Sequence, residues 1–394
     1  MAASTLTDKV LLLGSSQENE LYVADAATGG QLYCFKNGRA SRFGVQVLPR
    51  TDHLVAMQDN KLAAHIWGWA KDMPVFKCHT SEKMGPTAVT KCGNFLFAGA
   101  QSGKVYVWDV KTGELMMVWD AHYKSVSAIA LTSDDSHVIT AGDDAVVHVW
   151  RLMDVLDEPD VTSSFQQGLT PIVSWTDHVL PVTSIHVSHG GVNGRIYTSS
   201  LDRTCKIWAL SSSQCLYSVT CPSFVNVCAA DAMEHRLFMG CGNGKVYALD
   251  LNAAASSVTA ATARILSTNA TANGASSATP WIQDALLPDA FEGHEVSVTT
   301  MQISECGGFL VTGDENGAVR VWDSLSRQSL RTIKLFKGKV SALLLLPRPR
   351  NLFHKIKLAR NSTQEDGASL APALPVAPLK KYMNSASSSH DNAS

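Results

Sequence analysis

The chain has no apolar run long enough to cross a membrane or to form the core of a secretory leader. The candidate nearest its start, Val10-Leu11-Leu12-Leu13, falls far short of the roughly 20 residues a spanning helix needs. On that reading the protein is soluble and intracellular and has no membrane partner. It also has no Cys-x-x-Cys pair among its nine cysteines, and the loose cluster Cys205, Cys215, Cys221 and Cys228 fits no zinc spacing. These residues are expected to be reduced thiols packed like small apolar side chains, which suits the cytosol or nucleus. No segment keeps a sustained 3.6-residue apolar period, so helices should be few. No paired carboxylates stand out from the turn acids, and neither a cofactor nor a metal is expected.

Charge is sparse as well. Charged residues make up 17% of the 394 positions and hydrophobic ones 45%, ample for a packed core. The net charge of −2 argues against a general polyanion binder, but it is unevenly spread. Between Arg331 and Arg360 there are nine Lys/Arg and no Asp or Glu, leaving 24 basic against 35 acidic residues elsewhere. A mildly acidic body thus leads into a basic segment. Its Arg348, Arg350, Lys355, Lys357 and Arg360 are candidates for RNA phosphate contact or nuclear import, with an ordinary solvated tail as the alternative. Only Phe353 interleaves with them, so base stacking is not expected. From about residue 361 the chain is rich in Ser, Ala, Pro and Asn and reads as disordered.

What the chain does have is a repeat. Short alternating segments end again and again in tryptophan: AAHIW at 63–67, VYVW at 105–108, VVHVW at 146–150, CKIW at 205–208 and VRVW at 319–322. Two degenerate copies, LYVAD and KVYALD, place Ala24 and Leu249 at the tryptophan position. Successive gaps are 43, 41, 42, 58, 41 and 73 residues, and four of the six match the roughly 40–45 residue period of WD repeats. The two long gaps should hold insertions, at about 153–170 and 252–280. Each copy contains four strand-like segments; in the last these are VSVTTMQIS, FLVTGD, AVRVWD and QSLRTI, separated by Gly, Asn and Asp. The expected fold is all-β, a seven-bladed WD-repeat propeller over residues 1–350, followed by a basic and then low-complexity tail over 351–394.

The repeat phase also predicts how the ring closes. The chain opens on what reads as a second strand, VLLLGSS at 10–16, with no first strand before it. KVSALLLLP at 339–347 has the first-strand pattern and no blade of its own, so the two should pair and clasp the ring.

Three copies carry a set of four polar positions: His122, Thr140, Asp144 and Trp150; His178, Thr198, Asp202 and Trp208; His294, Thr312, Asn316 and Trp322. Residue types of this kind also make up a Ser/Thr-His-Asp hydrolase site. A catalytic set is unique, however, whereas this one recurs, and an Asp–His–Thr–Trp relay would satisfy polar atoms between strands. A structural role, with no catalysis, is therefore expected. Burying each indole is worth about 4–6 kcal/mol gross. GCGNGK at 240–245 lacks the spacing and following helix of a phosphate loop and reads as a strand-connecting turn. His53 and His189 are isolated, and the sequons at Asn269 and Asn361 carry no weight in a reducing compartment.

The stretches WTDHVLPVTSIHVSHGG (175–191), RIYTSSLDRTCKIWALSSSQCL (195–216), DAHYKSVSAIALTSDDSHVITAGDDAVVHVWRL (120–152) and FEGHEVSVTTMQIS (291–304) together resemble the family of WD-repeat-containing protein eighteen and its fungal counterpart Ipi-three. The likeness runs over roughly residues 5–350. It implies a nuclear scaffold, with Rix-one/PELP-type and Ipi-one/TEX-type partners, acting on precursors of the large ribosomal subunit and in removal of the second internal transcribed spacer. Direct or indirect contact with rRNA would follow. Members finish in a charged coiled-coil helix that supports dimerisation; the terminal SSSHDNAS here has no heptads, and the resemblance does not extend to such a helix. Competing readings are a substrate receptor of a cullin-type ubiquitin ligase, a role in DNA replication licensing, and a phosphoinositide-binding propeller. Against the first, the third-strand endings WDVK, WRLM, WALS and WDSL all lack the Trp-Asp-x-Arg pattern; against the last, no Phe-Arg-Arg-Gly motif is present.

Overall fold

The computed structural model describes residues 6–157, 169–252, 281–282, 290–349, 352 and 375–382. They form seven small antiparallel sheets arranged as the blades of a propeller, with one short helix, Leu152–Leu156. Blade 1 is built from Lys9–Ser15, Glu20–Asp25 and Gln31–Lys36, with Val340–Pro347 as its inner strand. Blade 2 runs Ala40–Val47, His53–Gln58, Ala63–Gly68 and Phe76–His79, and blade 3 runs Met84–Val89, Phe95–Ala100, Lys104–Asp109 and Leu115–Asp120. Blade 4 comprises Val126–Leu131, His137–Gly142, Val147–Arg151 and Val173–Trp175, and blade 5 Val182–Val187, Arg195–Ser200, Thr204–Ala209 and Gln214–Thr220. Blade 7 is Val298–Ile303, Phe309–Asp314, Ala318–Asp323 and Ser329–Lys334.

Blade 6 has three strands among the described residues. Val225–Ala230, Arg236–Cys241 and Val246–Asp250 pair normally, and among the described residues the fourth place is held by a bridge between Phe291 and Val246. The long insertion intervenes here. Its one described pair, Trp281–Ile282, adds in parallel to the outer strand of blade 5 beside Ser218 and Val219. The rest of that insertion, and residues 158–168 of the first, lie outside the described residues.

Burial grades from the second strand outward, as a stack of sheets requires. Second strands are apolar or small along nearly their whole length, because neighbouring blades cover both faces; in Phe309–Asp314 every residue is buried. In the outer strand Ser329–Lys334 only Ile333 is buried, and it faces the next blade. Close approach between blades also depends on small residues. A methyl group on Gly99 would lie 2.6 Å from Val126 of the next blade, and one on Gly240 would lie 2.9 Å from Val298. The cysteines at the seam of blades 5 and 6 (Cys205, Cys221, Cys228 and Cys241) are buried reduced thiols inside one apolar cluster.

The ring closes by antiparallel pairing of the two ends of the propeller. Lys9 pairs with Pro347, Leu11 with Leu345 and Leu13 with Leu343, with a register shift after Gly14. Ser341 Oγ then donates to Ala40 O of blade 2 at 2.8 Å, tying the clasp to its neighbour. Leu352 is buried in the cluster shared by blades 1 and 2. Within the tail, residues 375–382 pack on the propeller. Ala377 N donates to Val110 O at 3.1 Å and Lys380 N to Gly113 O at 2.7 Å, while Leu379 is buried against blades 2 and 3. Composition pointed to disorder, but backbone pairing and one well-placed leucine prevail locally.

A chain ending at Lys334 loses the inner strand of blade 1 and is expected to melt roughly 10 °C or more lower, or without a single cooperative transition. Scanning calorimetry checks this; an unchanged single transition would contradict the clasp's role.

Candidate functional site

Each of the three polar sets draws on one inter-blade connection and two strands. In blade 4, His122 precedes the inner strand, Thr140 lies on the second strand and Trp150 on the third. The register pairs Thr140 with His148 and Val138 with Trp150, which brings the indole edge over the threonine. Trp150 Nε1 donates to Thr140 Oγ1 at 3.0 Å, and Thr140 Oγ1 lies 2.9 Å from His122 Nε2. His122 Nδ1 lies 3.1 Å from Asp144 Oδ1. Blade 5 repeats this, with Trp208 to Thr198 at 2.9 Å, Thr198 to His178 at 2.8 Å and His178 to Asp202 at 3.0 Å.

The donors fix the direction of the relay. An indole nitrogen can only donate, so the threonine oxygen accepts from it and its single hydroxyl proton goes to histidine Nε2. The histidine then carries its proton on Nδ1 and donates to the carboxylate. All three threonine side chains are fully buried within this chain of bonds.

Blade 7 corrects one expected member. The acceptor for His294 is Asp314, whose Oδ2 lies 2.8 Å from His294 Nδ1, and not Asn316. Thr312 Oγ1 takes the Trp322 N–H at 2.8 Å and lies 2.7 Å from His294 Nε2. Asn316 contributes only its backbone N–H, which donates to Asp314 Oδ1 at 3.0 Å. Aligning on the tryptophan picks Asn316, but the carboxylate two residues earlier, at the end of the second strand, is the stronger acceptor and reaches the ring.

The aspartates are also held by backbone amides. Tyr123 N donates to Asp144 at 3.1 Å and Val179 N to Asp202 at 3.1 Å. Burial pushes the carboxyl pKa of Asp144, Asp202 and Asp314 upward, but bonds from the histidines and backbone outweigh it, so all three end below the usual carboxylate range.

This capping of the turn turns the residue after the histidine outward. Val179 is 82% exposed and Tyr123, in the equivalent place on blade 4, is 99% exposed. Val179, Leu180, Leu201, Pro222 and Phe224 line one open depression across the tops of blades 5 and 6, edged by Asp202 and Arg203. An exposed apolar cluster of this kind marks an interaction surface. Sequence reasoning missed it, although VLP directly after His178 was visible.

The channel at the ring's axis is the other feature that sequence reasoning missed. A cavity of about 510 Å³ is lined by inner strands of all seven blades, with polar and apolar groups in similar measure. Burial pushes the pKa of His186, on its wall, down to about 4, with His189 adding to the effect. At the blade 2 bulge Phe43 takes φ of 52°, and Arg42 reaches across the ring to donate from Nη2 to Asn226 O of blade 6 at 2.9 Å. Burial lowers the pKa of Arg42 to about 10, with Asp143 opposing. Neither His53 nor His189 belongs to a polar set. GCGNGK does form the turn between two strands, with Gly244 at φ +79°. Of the basic candidates, Arg348 pairs with Asp25 at 3.2 Å beside the clasp; Arg350, Lys355, Lys357 and Arg360 lie outside the described residues, as do both sequons.

Comparison with known proteins agrees with this architecture. The family model described as WD domain, G-beta repeat matches residues 169–209 and 287–323, and one described as WDR54 matches 54–168. The chain is 31% identical to WD repeat-containing protein 18 of Rattus norvegicus over 359 residues, which span 88% of this chain and 74% of that one. The chain belongs to the WD repeat-containing protein 18 family. It is also 28% identical to Pre-rRNA-processing protein IPI3 of Yarrowia lipolytica over 317 residues, 79% of this chain and 69% of the relative. For Pre-rRNA-processing protein crb3/ipi3 of Schizosaccharomyces pombe the identity is 27% over 301 residues, 74% and 67%.

Three predictions concern the polar sets of this family member. Thr198→Val leaves the Trp208 N–H and His178 Nε2 without a partner and should cost about 2–4 kcal/mol. Asp314→Ala should cost about 2–3 kcal/mol, while Asn316→Ala stays within about 0.5 kcal/mol, as urea unfolding will show. A carboxyl whose folded pKa is depressed stabilises the fold above its unfolded pKa, and that contribution is lost as pH falls through the folded value. The urea midpoint should therefore drop below about pH 4, and the drop should be shallower in the triple variant D144N/D202N/D314N. A parallel pH profile in the variant would contradict the assignment.

Proposed function

We propose that this chain is a non-catalytic interaction scaffold in ribosome biogenesis. The observation that carries this reading is the similarity to two fungal pre-rRNA-processing proteins over three-quarters of the chain, on a fold whose polar constellations are buried between strands. The histidines act structurally: each set knits a connection, a second strand and a third strand, and its threonine oxygen is already engaged by an indole and an imidazole.

On this reading the protein works in the nucleus on precursors of the large subunit, including removal of the second internal transcribed spacer. Its partners are the Rix-one/PELP-type and Ipi-one/TEX-type proteins. The apolar depression of Val179, Leu180, Leu201 and Phe224 supports protein docking at the tops of blades 5 and 6. Rigid blades suit such a role, because they hold loops in fixed relation while leaving them free to differ.

Affinity purification of the tagged full chain from nuclear extract is the test. The expected result is co-purification of large-subunit precursor RNA with both partner types. The double variant V179E/F224E should reduce partner recovery about tenfold or more without lowering the melting temperature, because charges in a buried interface core lack compensation. Absence of precursor RNA and of both partners from the wild-type purification would refute the reading.

A further inference from the structure

Wherever a blade carries the tryptophan, the preceding blade normally offers it an aromatic ring from a fixed position of its outer strand. Phe35 faces Trp67 at 6.3 Å, Trp119 faces Trp150 at 5.7 Å, Trp175 stacks on Trp208 at 4.5 Å and Phe291 meets Trp322 at 5.7 Å. The register fixes that position: the outer-strand residue pairs with the residue three before the tryptophan place of its own blade, as Phe35 does with Leu21 and Trp119 with Val105. At the seam of blades 2 and 3 the equivalent residue, paired with Ala64, is Cys78. Trp108 therefore lacks a ring from the preceding blade, and the aromatic stacked on it, at 5.7 Å, is Tyr106 of its own strand.

The same blade lacks the second partner too. Ten residues before each fully equipped tryptophan stands the threonine that takes its N–H; ten before Trp108 stands Ala98. Both gaps are filled by the tail. Leu379 packs in the cluster with Cys78 and Trp108, and its N–H donates to Cys78 Sγ at 3.1 Å. Lys380 O accepts the Trp108 N–H at 2.9 Å, and Lys380 Nζ pairs with Glu114 at 2.9 Å. Gly113, at φ +69°, leaves room for the strap, since a methyl group there would sit 2.1 Å from Pro378 O.

We propose that the seam between blades 2 and 3 is a peptide-binding site whose ligand is the chain's own segment 375–382, an apolar-then-basic Pro-Val-Ala-Pro-Leu-Lys-Lys-Tyr strap that latches the propeller in cis. Leucine supplies the missing packing, the lysine carbonyl the missing acceptor, and the ammonium an anchor on Glu114. The latch is a second closure, distinct from the inner-strand clasp. Reach is ample: residues 353–374 can extend to roughly 70 Å, and Leu352 already packs beside Trp67 and Trp69 of blade 2.

Thiol labelling of the full chain, read cysteine by cysteine by mass spectrometry, tests this. Cys78 is buried under the strap and Cys306 is exposed, while Cys205 and Cys241 lie buried in blades 5 and 6. Leu379→Asp should speed Cys78 labelling roughly tenfold or more and leave the other three unchanged, whereas Leu379→Met should preserve protection. Wild-type protection should not change on hundredfold dilution. Unchanged Cys78 labelling in Leu379→Asp would overturn the proposal. So would equal acceleration at Cys205 and Cys241, which would make the effect global, or loss of protection on dilution, which would place the strap on a second copy.

Discussion

Everything in this molecule depends on the pairing of Lys9–Ser15 with Val340–Pro347. A four-stranded sheet that is apolar on both faces has no stable existence alone; it must be sandwiched, and in a linear array the two end blades would expose a face each. A ring removes both ends. Drawing blade 1 from the two ends of the propeller makes closure a matter of backbone hydrogen bonds as well as packing, so that the last strand formed locks the first.

Between the blades, two devices recur and complement one another. Apolar and aromatic side chains fill the seams, and the Asp–His–Thr–Trp relay consumes the polar atoms that the seams would otherwise strand. Blade 3 has the tryptophan without the threonine or the facing ring, and there the tail enters. Blades 1 and 6 have neither tryptophan nor relay, with Ala24 and Leu249 in its place, and Leu249 packs in an apolar cluster that includes Cys205 and Cys241. The ring thus tolerates loss of the relay where apolar packing or a borrowed segment takes over.

Much of this was legible in the residues. Tryptophan spacing fixed seven units, and the orphan first-strand pattern at 339–347 located the clasp, because both signals are local and repeated. The role of Asp314 was not legible from spacing to Trp322, since the carboxylate in that blade stands two positions earlier, at the end of the second strand. Docking of 375–382 was hidden because low-complexity composition says nothing about a complementary groove, and that groove is defined by what Cys78 and Ala98 lack. Arg42 was missed for a similar reason: its partner carbonyl at Asn226 is brought near only by ring closure.

The functional reading rests on a rigid closed ring that presents the depression of Val179, Leu201 and Phe224 in a fixed position. Native-state hydrogen exchange at the clasp tests that rigidity most directly. The amides of Leu343–Leu346 should open with a free energy within about 1 kcal/mol of those of Val138–Thr140 in blade 4, both reporting global unfolding. Exchange at the clasp that is several kcal/mol easier would mean that the ring opens there while its blades persist, and the account of a sealed propeller would fail.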